Sequence, residues 1–148
     1  MDTQSLETAF RTAFAPLLAG EIGEKGATSA ALLDFCHPKG TFVVDDLPYP
    51  LDKTGLADHR AFHDGGLWSK CTLAIVSLNI DVHKTTDGLS GVIHGTYNLR
   101  GKPTDAGFRQ RPGHLSAMCV WDDTAKSWQA LNIHFSPLFA QVLDASPS

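Results

Sequence analysis

The sequence predicts an α+β chain in which helices pack on one face of a strongly curved antiparallel sheet, and three observations predict it. Three stretches before Gly65 carry apolar residues at helical spacing. Four long runs after Trp68 have strand character and are parted by short polar or glycine-bearing turns. Turns that short join antiparallel neighbours, and helices first with strands last is an α+β order.

In order along the chain, Leu6, Phe10, Ala13, Phe14, Leu17 and Leu18 recur at three and four, so an amphipathic helix is predicted from about Thr3 to Ala19, with Pro16 bending or ending it. Gly20 to Gly26 holds three glycines and reads as a loop. Thr28 or Ser29 can then cap a short helix through Ala30, Leu32, Leu33 and Phe35, which His37-Pro38-Lys39-Gly40 stops. Thr41 to Asp46 is a strand running into the turn Leu47-Pro48-Tyr49-Pro50. Thr54 is the expected cap of a third helix from Gly55 towards Gly65. The four strands are predicted over Cys71 to His83, Gly91 to Arg100, Phe108 to Trp121 and Ser127 to Leu138. Thr86-Asp87-Gly88, Gly101 to Asp105 and Asp122 to Lys126 turn between them.

A length of 148 residues fits one domain, residues 1–148, with a core of its own. Apolar residues make up 43% and no apolar run approaches the ~20 residues of a membrane span. No basic stretch precedes an apolar one at the N-terminus, so no secretory signal is visible and a cytoplasmic location is expected. The net charge of -4 comes without a basic block, which argues against nucleic acid as a partner. Cys36, Cys71 and Cys119 are odd in number and lie in apolar sequence, so buried thiols are expected rather than a disulfide or a zinc site.

The last strand organises the rest. Read at period two, Gln129, Leu131, Ile133 and Phe135 share one face; Trp128, Ala130, Asn132, His134 and Ser136 share the other. The second face, mixing a large aromatic with small and hydrogen-bonding residues, is expected to line a pocket. The pattern Trp128-Gln129-x-x-x-x-His134-x-Ser136, preceded by Val120-Trp121 and a polar turn, resembles the closing hairpin of the nuclear transport factor 2-like superfamily. That superfamily includes SnoaL-like polyketide cyclases, ketosteroid isomerase, scytalone dehydratase and the association domain of calcium/calmodulin-dependent protein kinase. The resemblance implies a cone of helices and bent sheet around a pocket, and a homodimer through the back of the sheet. The stripe Leu131, Ile133 and Phe135, needing a cover, argues for the same dimer. The kinase domain has an arginine before its Val-Trp pair where Cys119 stands here, so its buried-arginine pocket is not expected.

Histidines are the main chemical clue. On the third helix, at ~100° per residue, Leu56, His59, Phe62, His63 and Leu67 share an arc of roughly 140°, which points both histidines inward. An i, i+4 pair can chelate a metal, but with no glutamate after His59 and no clear third ligand, no metal and no cofactor are expected. A turn centred near Pro103 or Thr104 sets His94 opposite His114, whereas His134 falls opposite Leu115 and shares a face with Cys119. Both sets can face the pocket only if a bulge flips the parity. Asp45, after Phe42-Val43-Val44, is a candidate acid or base if half buried, and Tyr49 and Tyr97 are candidate oxyanion donors. Asp45 or Asp46 can equally cap the turn before Pro48. Scytalone dehydratase pairs two pocket histidines with tyrosines and an aspartate; His94, His114, Tyr49, Tyr97 and Asp45 form a similar inventory.

The expected activity is that of a cofactor-independent lyase, dehydratase or isomerase acting on a small, mostly apolar aromatic or cyclic molecule. His59 or His134 would be the base, oriented by Asp45, and Tyr49, Tyr97 or His94 would stabilise oxygen charge. His63, Phe62, Asn132, Trp68, Trp128, Cys119 and His114 are the expected substrate contacts. A non-catalytic binding or dimerisation module is one alternative. Water activation of the epoxide-hydrolase kind is another, needing an Asp-Arg-Asp cluster for which only Arg100 and Arg109 are at hand.

Overall fold

The first helix, α1 (Thr3–Ala13), forms because Asp2 caps it, its carboxylate accepting from the Ser5 amide at 2.9 Å, and because Leu6, Phe10 and Ala13 align on one buried stripe. It stops earlier than the periodicity implied. Phe14 leaves helical geometry and Pro16, which has no N–H to donate, opens a separate turn, α2 (Ala15–Leu18). The computed structural model describes residues 2–23, 25–104 and 106–138, and of Ser69 the backbone only. Glu24 of the predicted loop and Asp105 of a predicted turn lie outside the described residues.

A third helix, α3 (Ala30–Phe35), runs straight into β1 (Cys36–Val43), so the predicted stop at His37 to Gly40 is strand instead. An edge strand tolerates Pro38 because one side of it needs no ladder donor. The fourth helix, α4 (Lys53–Asp64), is capped by Asp52, whose carboxylate accepts from the Gly55 amide at 2.7 Å, rather than by Thr54. Gly65 and Gly66, the latter at φ 92°, end it.

The sheet follows as β2 (Trp68–Thr85), β3 (Gly88–Pro103), β4 (Arg109–Asp122) and β5 (Ser127–Pro137). Its spatial order is β1-β5-β4-β3-β2; β2 to β5 form the predicted antiparallel meander, and β1 joins β5 in parallel. Irregularities in β2 between Ser69 and Thr72 and between Ile75 and Ser77 interrupt a pairing too long to stay flat. The inner face packs Leu73, Ile93, Tyr97, Leu115 and Ile133 against Leu6, Phe10, Phe14, Leu32 and Leu56 of the helices. Each such side chain, fully buried, contributes about 1.5–3 kcal/mol. All three cysteines are free and buried, as expected.

Two register details decide which side chains face inward. In β5, Cys119 pairs with Ala130 and Met118 with Asn132, so Leu131 is an extra residue and the alternation reverses there. Trp128 and Ala130 point inward before the bulge, Ile133 and Phe135 after it. Asn132, His134 and Ser136 are thereby turned to the outer face, which overturns the inward placement of His134 and Asn132. The same bulge removes the supposed outer stripe, since Ile133 and Phe135 pack inside. Between β3 and β4, Thr96 pairs with His114 and His94 with Ser116, so the hairpin is centred one residue beyond Thr104. The two histidines are diagonal, not opposite, with ring centroids 6.2 Å apart, and both are exposed on the outer face.

Candidate active site

Three elements converge beneath the open end of the sheet. The chain leaving β1 brings Val44, Asp45 and Asp46; α4 brings His59, Arg60 and His63; β3 brings Tyr97. All of these but Asp46, together with apolar walls that include Phe14, Leu73 and Phe135, line a cavity of about 70 Å³. A wider, more open cleft of about 430 Å³ adjoins it, bordered by Asp46, Tyr49, Phe62 and Leu67. His59 and His63 border both.

One carboxylate spans the two imidazoles. Asp46 Oδ1 lies 2.8 Å from His59 Nε2 and Asp46 Oδ2 lies 3.3 Å from His63 Nε2, with the rings 4.6 Å apart. Burial works against charge on Asp46, but the hydrogen bonds from His59 and His63 outweigh it and hold the carboxyl below the usual carboxylate range. An ionised carboxylate only accepts, so the Nε2 atoms must be the donors. A neutral His59 then carries its lone pair on Nδ1, a buried atom with no hydrogen-bond partner among the described residues.

The neighbouring carboxyl behaves oppositely. Burial pushes Asp45 up from the ordinary value, with the Arg111 guanidinium, 3.8 Å from Oδ2, only partly compensating; Oδ2 accepts no hydrogen bond from the described residues. Tyr97 is buried with its hydroxyl unpartnered among the described residues, and burial, with a further push from Asp45, raises its pKa as well. The site therefore sets an imidazole with an unpartnered Nδ1 beside two oxygen acids biased towards their protonated forms.

The predicted residues divide clearly. His59, His63, Asp45 and Tyr97 meet at the cavity. Tyr49, 55% exposed, and Phe62, 72% exposed, border only the outer cleft. Phe62 sits about 120° around the helix from Leu56, while Arg60 sits about 40° from it. The buried stripe is Leu56, Arg60 and His63, rotated from the predicted arc, and Leu67 lies past the helix end. Trp128 is buried elsewhere, donating from Nε1 to Ser5 Oγ at 3.0 Å. Cys119 is core, its thiol pushed up to about 12 by burial. Trp68 is buried and stacks under Arg111 at 5.1 Å, outside the cavity lining. Asn132 donates to the Thr41 carbonyl at 2.9 Å. His94, His114 and His134 are on the far side of the sheet, and Arg100 and Arg109 are exposed.

Two functional residues escaped the sequence reading. Asp46, treated as a turn residue, holds both histidines, the part expected of Asp45. Arg60 is absent from the predicted arc, although its spacing of four from Leu56 and three from His63 marks the buried stripe. Among the described residues, Asp46, His59 and His63 form one group able to hold a metal ion, with donor atoms within 4.8 Å of one another.

No family model and no curated protein matches the chain. Solved structures do. A nuclear transport factor 2-like superfamily protein from Salmonella enterica aligns at TM-score 0.66 with 12% identity, covering 91% of this chain and 89% of its own. A Novosphingobium aromaticivorans protein provisionally named a scytalone dehydratase aligns at TM-score 0.69 with 9% identity, covering 91% and 83%. A Xanthomonas campestris protein provisionally named a calcium/calmodulin-dependent protein kinase II association domain aligns at TM-score 0.68 with 14% identity, covering 90% and 85%. Likeness across nearly the whole described chain at such low identity is a likeness of architecture, and the chain has the nuclear transport factor 2-like fold.

Proposed function

We propose that this chain is a cofactor-independent acid–base enzyme, a lyase, dehydratase or isomerase, acting on a small and mostly apolar ring-bearing molecule in the inner cavity. The observation that carries the reading is the state of His59: Nε2 committed to the ionised Asp46, Nδ1 buried and unpartnered, and the residue on the wall of an apolar cavity. His59 takes a proton from carbon next to a carbonyl or phenol, and Asp46 fixes its tautomer and stabilises the imidazolium that forms. Asp45 or Tyr97 supplies a proton or hydrogen bond to the oxygen that gains charge, after which water leaves or a carbon bond breaks. Likeness of fold to a protein provisionally named a scytalone dehydratase supports the reading at that level only.

The test is a thermal-shift screen of aromatic and cyclic carbonyl, phenol and alcohol compounds, each hit then followed for chemical change by mass spectrometry. His59→Ala is expected to lower turnover by about 10²–10⁴-fold while the thermal shift persists. Shifts without chemistry in any hit would favour the non-catalytic binding module. The spacing of Asp46, His59 and His63 favours a second reading, metal-assisted chemistry on the same side chains. Loss of turnover on chelation, restored by zinc, would select it.

A further inference from the structure

Arg60 is the residue that the acid–base reading leaves unused, and its surroundings are unusual for an arginine. It is 8% exposed, on the inward stripe of α4 directly after His59, and it lines the same cavity. Of its five N–H donors, one is engaged among the described residues: Nε donates to Ser29 Oγ at 3.0 Å. Ser29 is held in turn by Asp64, donating from its hydroxyl to Oδ1 at 2.7 Å and from its amide to Oδ2 at 2.8 Å. Both Asp64 oxygens are thus committed to Ser29, and no described carboxylate lies within 4.0 Å of Arg60.

The Ser29 contact fixes the guanidinium by its stem side and leaves its outer edge uncommitted. Arginine stays protonated inside proteins, so this is a positive charge in a mostly apolar enclosure, on which Asp64, Asp46 and Asp45 act through space and none within 4.0 Å. Such a charge costs stability, and a ligand anion that completes the pair recovers it. The fork of terminal nitrogens suits the two oxygens of a carboxylate.

We infer that Arg60 is an anion-binding subsite of the cavity and that the ligand class is a small aromatic or alicyclic carboxylate. Its acid group sits on the guanidinium and its ring lies among Phe14, Leu73 and Phe135. This deepens the proposed function, resting on it for the cavity as the binding site, and places the reactive carbon beside His59, the neighbour of Arg60 in the helix.

Benzoate and benzamide, equal in shape and differing in charge, are the probes. Titration calorimetry on the whole chain is expected to show benzoate binding at least about tenfold more tightly than benzamide, a preference that Arg60→Gln abolishes. His59→Ala is expected to keep it, which separates Arg60 from a protonated histidine as its source. Should Arg60→Gln not fold, nitrogen-15 NMR of the wild-type arginine side chains decides. The Arg60 Nε–H resonance is expected to move with benzoate and stay still with benzamide. Equal affinity for the two probes, no binding of either at millimolar concentration, or a still Arg60 resonance would each overturn the subsite. Turnover only of neutral compounds would sink it while leaving the acid–base reading intact. A charge preference without turnover of any compound would do the reverse.

Discussion

Asp45 and Asp46 are adjacent in the chain, yet the fold gives their carboxyls opposite electrostatic surroundings, and pH separates them. Asp46, held low by His59 and His63, contributes stability that is present above its unfolded pKa, about 3.9, and is lost as pH falls through the folded value. Asp46→Ala is expected to cost about 1–3 kcal/mol near neutral pH, a deficit that shrinks in strong acid. Asp45, raised chiefly by burial, has the contrary sign: its contribution is full below about pH 3.9 and is lost as pH rises through the folded value. Asp45→Asn is therefore expected to melt higher than wild type at pH 7 and to lose that advantage in acid. Melting temperatures of both variants across a pH series check the two signs together.

At the scale of elements, the site depends on one helix and on one close approach between strands. α4 delivers His59, Arg60 and His63, and its first turn is fixed by the Asp52 cap. Asp52→Ala is expected to cost about 1 kcal/mol, read by denaturant unfolding. Gly113 on β4 lies across from Tyr97, whose ring and hydroxyl occupy the space a Cβ would need; the Ser136 carbonyl closes the other side. Gly113→Ala must push Tyr97 off the cavity wall or shift backbone, costing about 1–3 kcal/mol and altering turnover together with stability. The β5 bulge at Leu131 explains why sequence periodicity misplaced His134. A period-two reading holds only while each residue has one partner, and nothing in Ala130-Leu131-Asn132 announces the extra one.

For the molecule as a whole, the two faces of the sheet have different tasks. The inner face carries the core and the cavity. The outer face presents His94, His114 and His134 on three neighbouring strands, with exposed Val92 and Met118 nearby. Replacing the three histidines by alanine together is expected to leave turnover unchanged, because none reaches the cavity. A homodimer through this face is our proposal, resting now on the resemblance and on Val92 and Met118 rather than on Ile133 and Phe135. Met118→Glu is expected to shift sedimentation from dimer to monomer, and an unchanged monomer in the parent would remove the proposal. No described helix is long and apolar enough to cross a membrane.

What the sequence determined by itself was everything that local pattern encodes. Helical spacing in Leu6, Phe10 and Ala13, the alternating runs after Trp68 and the short turns between them were enough for an α+β order and a curved antiparallel sheet. The inward turn of His59 and His63 followed from the same spacing, and the burial of the three thiols from the apolar sequence around them. Tertiary structure decided what depends on partners distant in the chain: the parallel pairing of β1 with β5, the register that displaces His94 from His114, and the bulge that turns His134 outward. It also decided which aspartate meets the histidines and gave Arg60 a place in the interior. Burial and pairing are set by neighbours that only the folded chain assembles, and no spacing along a single strand or helix contains them.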